Sequence, residues 1–450
     1  MLAPEEKLKL SPKPYLSVTR PFADGSDSPR EFLERCLGDL ATWEAKIGAF
    51  VHLDIDGARA AADRADARWR DGRALSKIDG MPVGIKDIIE TIDMPTQNGS
   101  PLYAGWRSGR DGASVAALRE AGAVILGKTV TTEFAATEPR GTRNPHDLRR
   151  TPGGSSSGSA AGVAAGMMSA GLGTQVIGST IRPASYCGCI GFKVSVGALN
   201  RGGSLDGLSQ SVTGVLAATL EDAWQVAHEI AVRAGGDPGY PGLFGPPSAP
   251  EPHRPRRIAF LETSGWSSAT SGAKDAMSDA LARFKSVGID VLTRQSHAKV
   301  AAVEAAIMRA RELSMRLNAW EWRWPLNTYR ERDAQMLSRV LLDRLTEAEG
   351  MHLDDYRADL ARREKDRALY AELAAECDAC ISLSAPSAAP IGLHSTGDPN
   401  CTVHTSYLGI PAISLPVLRD EGLPLGLQVV GFINGDAQAF AVAAALAALF

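Results

Sequence analysis

Two segments of this chain hold most of its chemistry: TPGGSSSGSAAG, from Thr151 to Gly162, and GTQVIGSTIRPASYCG, from Gly173 to Gly188. Neither has the polar flanks of a flexible linker, and both run into small apolar residues. They read as tight, buried turns with exposed backbone N–H groups. Consecutive N–H groups around a serine, as VIGS offers at Val176–Ser179, are what a tetrahedral oxyanion needs, which marks Ser179 as a nucleophile. A serine hydroxyl is weak alone and must lose its proton to a nearby base as it attacks. The eight histidines form no distinctive motif near these loops, whereas Lys86 lies in the apolar run PVGIKDII. Desolvation penalises an ammonium ion, so a lysine buried there can fall below its reference value of about 10.4 and serve as the base. On residue type alone a second reading stands beside this one, an ordinary strand-end lysine paired with Asp87.

The segments GMPVGIKD, AGAVILGKT, PGGSSSGSAAGVAAG, GTQVIGSTIRPASYCGCIGFK and LGIPAISLPV…LPLGLQVVG, in this order and at these separations, resemble the amidase signature family. The resemblance is dense from Gly80 to Phe192 and looser in the C-terminal quarter. It implies an α/β fold in which a mixed, twisted central sheet is flanked by helices, with residues 1–450 forming one large domain. It also implies the roles of three residues: Lys86 as base, Ser155 as a relay serine preceded by a cis peptide bond, and Ser179 as the nucleophile that becomes acylated. Lys86 would draw a proton from Ser155, which draws one from Ser179, and the reversed relay would protonate the leaving nitrogen. The oxyanion donors would be the backbone N–H groups of Val176, Ile177, Gly178 and Ser179, each worth roughly 2.7–4 kcal/mol. The expected substrate is a small amide or carbamate (urethane), with urea and ester bonds also open, and no cofactor or metal is implied.

Two positions depart from the family pattern. The family usually has two glycines before the nucleophile, and this chain has Ile177-Gly178. A β-branched residue resists positive φ, so either Ile177 has ordinary dihedrals and shapes the acyl pocket, or the oxyanion loop is altered. Val194 follows GFK where proline is common. Arg182, three residues past Ser179, has the donor fork to bind a substrate carboxylate, as in malonamidase-type members, or to pair with internal acids and carbonyls. The rest of the pocket is expected from the Thr129–Thr137 loop, Thr131 included, from Ile177, and from a divergent helical stretch.

Certain elements must position these residues. Ser28-Pro29 opens a helix that takes in SPREFLERCLGDLATWEAKIGAFVHLD, and GARAAADRADARWRDGRA makes a second, so helices fill 28–73. The signature core, 80–200, begins with a strand at MPVGIKD and continues with a helix at GASVAALREAG, a buried strand at AVILGK and a helix from Ser157. Further on, GVLAATLEDAWQVAHEIAVRAG and SGAKDAMSDALARFKSVG read as helices, and RIAFLE and DVLTR as strands. Pro241–Pro255 reads as an exposed loop. Residues 299–373 read as charged helices over the entrance to the site, with Trp320, Trp322, Trp324 and Tyr329 packed beneath or lining that entrance. Two apolar strands and a helix from Asp436 close the chain.

Composition removes several function classes. With 44% hydrophobic and 22% charged residues the chain is an ordinary globular protein, and a formal charge of −4 argues against nucleic acid as ligand. The N-terminus lacks the apolar segment of a signal peptide, and the closing AVAAALAALF falls short of the ~20 residues of a membrane span, so the expected location is cytoplasmic, with no membrane partner. Six scattered cysteines form no disulfide framework, and Cys377/Cys380 has no second pair to complete a metal site. Gly154–Gly158 also matches G-x-S-x-G, with Ser156 as nucleophile beside Asp398 and His404, but DLRRTPGG ahead of it is no buried strand. Two alternatives keep the fold and change the role: the glutaminase subunit of a tRNA-dependent amidotransferase, and a non-catalytic binding protein. A homodimer is the symmetric assembly most readily formed.

Overall fold

The computed structural model describes residues 10–205 and 207–450, so the first nine residues of the expected 1–450 domain lie outside the described residues. Eleven strands form one mixed sheet: β1 Phe50–Leu53, β2 Pro82–Lys86, β3 Val124–Thr129, β4 Ala170–Gln175, β5 Ile190–Lys193, β6 Val212–Ala217, β7 Arg257–Phe260, β8 Asp290–Leu292, β9 Ala379–Leu383, β10 Ala412–Asp420 and β11 Leu423–Val430. Across the sheet they run β1-β3-β2-β4-β6-β5-β10-β11-β9-β7-β8. The trios β3-β2-β4 and β9-β7-β8 are parallel, and the other neighbours are antiparallel.

The strands β2, β3 and β4 are buried at every residue, as expected of strands with both faces covered by helices. One covering helix, Ser157–Ala164, consists of Ser, Gly, Ala and Val, and all of its residues are buried. Side chains this small let it lie directly on the sheet. Trp224, Phe192 and Phe440 pack on one another on the other half, with centroids 5.2–6.2 Å apart.

At the N-terminus, Ser28 caps the helix Pro29–Ile47 by accepting the N–H of Glu31, with Pro29 in the first turn. That helix stops at Gly48, which takes φ 65°, and FVHL is β1, not helix; Ile55–Arg70 is the second helix. Likewise Val212–Ala217 is β6, and the helix there begins only at Leu220 under the Thr219 cap. In both cases a short apolar run adjoining a helix was periodically compatible with either state, and pairing with a neighbouring strand decided it. Between β8 and β9 lie the helices Ala298–Ile307, Ala310–Asp333, Arg339–Glu349 and Leu353–Ala371. Trp322 and Tyr329 are buried there while Trp324 is 71% exposed. None of the helices among the described residues is long and apolar enough to cross a membrane.

Candidate active site

The C-terminal end of β2 delivers Lys86 into the interior, where it is fully buried. Its Nζ lies 2.7 Å from Ser155 Oγ and 2.8 Å from Thr174 Oγ1. Thr174 belongs to β4, so the amine is held between the neighbouring strand and the serine loop. The Gly154–Ser155 peptide bond is cis, and Gly153 before it adopts φ 82°, where a Cβ would run into Pro183. Ser156 donates its N–H to the Ser179 carbonyl at 3.2 Å, which ties the two serine loops together at the backbone. The structure therefore brings Lys86, Ser155 and the Ser179 loop to one place. Ser156 itself precedes the helix Ser157–Ala164 and follows a loop, so no strand–elbow–helix surrounds it.

The loop between β4 and the helix Ile181–Cys187 is held in place by Gln175. Gln175 Oε1 accepts the N–H groups of Thr180 (2.9 Å) and Ile181 (3.1 Å), while its Nε2 donates to Ser406 Oγ at 3.1 Å. Pinned in this way, the N–H groups of Val176, Ile177, Gly178 and Ser179 find no acceptor among the described residues. Ile177 does not take a positive φ and instead lines the cleft beside Ser179. Gly178 is glycine because of packing: a Cβ there would collide with Thr402 Oγ1. Thr174 and Gln175, both from GTQV, went unassigned in the sequence. Their signal was their place at the start of the recognised segment Gly173–Gly188.

The cleft over Ser179 is walled by Phe134, Ile177, Leu208, Asn318, Trp322 and Arg344, among others. Phe134–Thr137 of the expected loop contribute to it, but Thr131 lies against a separate cleft near Phe50 and Arg140. Arg182 is fully enclosed, and burial holds its guanidinium below the ordinary value. One terminal nitrogen donates to the Gly154 carbonyl at 2.8 Å and to Thr396 Oγ1 at 2.9 Å, so one arm of its fork supports the serine loop. Asn318, Trp322 and Arg344 come from the helices that follow β8; Trp322 was expected beneath or lining the entrance, whereas Asn318 and Arg344 were not singled out in the sequence.

Burial raises the Cys187 and Cys401 thiols, and a hydrogen bond with Cys377 and then burial raise Cys380, which removes them as nucleophiles; His404, equally enclosed, is pushed down to about 3 by burial and stays neutral.

The chain belongs to the Amidase family, whose model matches residues 31–439, and its mixed sheet brings together a buried lysine, a cis-linked serine and a second serine loop. Among relatives, it is 32% identical to a glutamyl-tRNA(Gln) amidotransferase subunit of Chloroflexus aggregans, with 93% of each chain covered. It is 34% identical to the protein of the same name from Anaeromyxobacter sp. (strain K), covering 93% of this chain and 92% of that one. Among solved structures, one described as an amidase superposes with a TM-score of 0.83 at 26% identity, covering 97% of this chain and 99% of the other.

Proposed function

We propose that this protein hydrolyses the C–N bond of a small amide through an acyl-enzyme on Ser179. The observation that carries this is the 2.7 Å approach of buried Lys86 to Ser155, beside the loop containing Ser179, whose N–H groups find no acceptor among the described residues. As Ser179 Oγ attacks the carbonyl carbon, its proton passes to Ser155 and the Ser155 proton to Lys86. The carbonyl oxygen becomes an oxyanion facing the N–H groups of residues 176–179. Collapse breaks the C–N bond, and the relay run backwards protonates the departing nitrogen. Water then attacks the acyl-serine by the same route and releases the acid. The helices after β8 roof the entrance and set which acyl group fits.

A second reading places the same chemistry on glutamine, within a glutamyl-tRNA(Gln) amidotransferase. It is supported by the relatives, which carry that enzyme's name over 93% of this chain. Of the two finer readings, this one has more support from likeness than a free-standing amidase does. Hydrolysis of carbamates, ureas or esters rests on the family resemblance alone.

The test is a panel of aliphatic amides, aryl amides, aryl carbamates and glutamine, given to the purified chain with Ser179→Ala as control. Turnover lost in the variant, together with an acyl adduct on Ser179 seen by mass spectrometry, is the expected result. Turnover of glutamine alone, and only in the presence of partner proteins, would favour the second reading. Turnover that survives Ser179→Ala would overturn the assignment of the nucleophile.

A further inference from the structure

Between the helix Leu353–Ala371 and the segment that follows β11 lies a cavity of about 400 Å³ that shares no wall residue with the cleft over Ser179. One wall comes from helical spacing: Glu364, Arg367, Ala368 and Ala371, three or four positions apart, fall on one face of that helix. The two alanines are exposed, and their short side chains leave the space open. Val196, Leu408, Ile410 and Phe432 supply apolar surface, and the Phe432 ring lies 5.4 Å from that of Tyr370. Tyr240 and Ile433, 47% and 46% exposed, form the rim. The volume falls in the range of roughly 300–1,000 Å³ usual for small-molecule sites, and the walls have the usual mix of apolar surface and a few polar groups.

Arg367 decides what such a cavity can hold. Its Nη1 pairs with Glu364 Oε1 at 2.8 Å, and Arg363 Nε lies 3.9 Å from the same oxygen, so two guanidinium groups draw on one carboxylate that is itself 63% exposed. The next acid along, Asp366, is already held by Arg362 at 2.9 Å and by the Tyr407 hydroxyl at 2.8 Å. Burial, and then the like charge of Arg363, keep the Arg367 guanidinium below its ordinary value, and Glu364 offsets them only in part. The other edge of the group is free: Nε is buried without a partner among the described residues, and the one hydrogen bond of the side chain leaves from Nη1. A Cβ on Gly409 would crowd Nη2 at 3.0 Å, so this free edge lies against the Leu408–Ile410 segment that lines the cavity. Two parallel N–H groups on one edge fit the two oxygens of a carboxylate. A neutral ligand would leave them unsatisfied, and a cation would be repelled.

We propose that this cavity is a second binding site, for a small amphipathic carboxylate: a short aliphatic or aryl-alkyl acid whose carboxylate meets the free edge of Arg367. Its apolar body lies among Ala368, Ala371, Ile410 and Phe432. Glu364 orients the guanidinium through Nη1. The cleft over Ser179 contributes nothing to this site, which therefore stands or falls apart from the proposed hydrolysis.

The test is calorimetric titration of the full chain with three probes of one body: 4-phenylbutanoate, 4-phenylbutan-1-ol and 4-phenylbutylamine. The carboxylate is expected to bind at least tenfold more tightly than the alcohol, and the amine more weakly than either. Arg367→Gln should bring the carboxylate down to the affinity of the alcohol, and Arg367→Lys should restore part of the difference. Ala371→Leu, at an exposed helical position that accepts a larger side chain, fills the cavity and should weaken carboxylate and alcohol alike by at least tenfold. Arg344→Gln, in the cleft over Ser179, should change neither. Carboxylate binding that is lost in Arg344→Gln and kept in Ala371→Leu would put the probe over Ser179 and overturn the second site, as would the absence of carboxylate binding to wild type. Equal affinity for carboxylate and alcohol, or a preference indifferent to Arg367→Gln, would overturn the acid as its ligand.

Discussion

In the proposed mechanism, Lys86 is the residue on which the chemistry turns. Its Nζ lies 2.7 Å from Ser155 Oγ, where it can accept a proton, and Thr174 Oγ1 at 2.8 Å fixes the orientation of its amine. If it works as the base, removing it disables both the attack and the protonation of the leaving nitrogen. Lys86→Ala should then lower kcat on an amide by about 10²–10⁴-fold, the usual worth of a positioned acid–base group. An activated aryl ester, whose leaving group needs no proton, should suffer less. Parallel rates on an aryl amide and its aryl ester check this, and equal losses on the two would show that Lys86 only holds the loop. These residues were legible in the sequence because each sits in a local motif whose residue types are tied to its role. Trp322 was legible only as one of four aromatics beneath or at the entrance, and Asn318 and Arg344 were not: they reach the cleft through the packing of helices far along the chain, and nothing in their immediate neighbours distinguishes them from a solvated helical face.

At the scale of elements, β2 and β3 show how the sheet holds Lys86 in place. Asp87, directly after β2, pairs with Lys128 of β3 at 3.4 Å, and Lys128 also donates to the Ile89 carbonyl at 2.7 Å and Thr96 Oγ1 at 2.6 Å. Burial raises the Asp87 carboxyl to about 6 in spite of the nearby lysine, and burial lowers Lys128 to about 8. Lys128→Met removes the cation and leaves a buried carboxylate alone, which should destabilise the fold by about 3–5 kcal/mol near neutral pH. In that variant the folded-state value of Asp87 lies above about 6, higher than in the unfolded chain, so the folded state binds the extra proton. Stability of the variant relative to wild type should therefore be recovered as the pH falls through that value and lost as it rises. Urea midpoints at pH 7.5 and 5.0 measure this, and a penalty independent of pH would mean that Asp87 is not the group left stranded. Strand positions such as these were readable from β-branched runs bounded by Gly and Pro. β1 and β6 were misread because four to six apolar residues adjoining a helix satisfy either period, and only their partners across the sheet decide.

For the whole molecule, the arrangement separates chemistry from selection. In the proposed mechanism the sheet and its two serine loops carry the reacting groups, while the helices after β8 bring Asn318, Trp322 and Arg344 to the cleft over Ser179. The helical layer is fastened to the core by a compact polar latch. Glu321 accepts the Ser209 N–H at 2.7 Å and the Tyr356 hydroxyl at 3.0 Å, and Arg363 donates to Ser209 Oγ at 2.8 Å. Hydrogen bonds to a carboxylate contribute about 1.5–3 kcal/mol each, so Glu321→Ala should loosen the layer without touching Lys86, Ser155 or Ser179. If the layer selects the acyl group, the variant should raise KM for the preferred amide by about tenfold or more, equivalent to about 1.4 kcal/mol of lost positioning, while kcat on a small neutral amide changes little. Steady-state kinetics on both substrates checks this. A fall in kcat of the same size on each would mean that the helical layer also shapes the reacting centre, and that the division between a catalytic sheet and a selecting roof is not how this fold works.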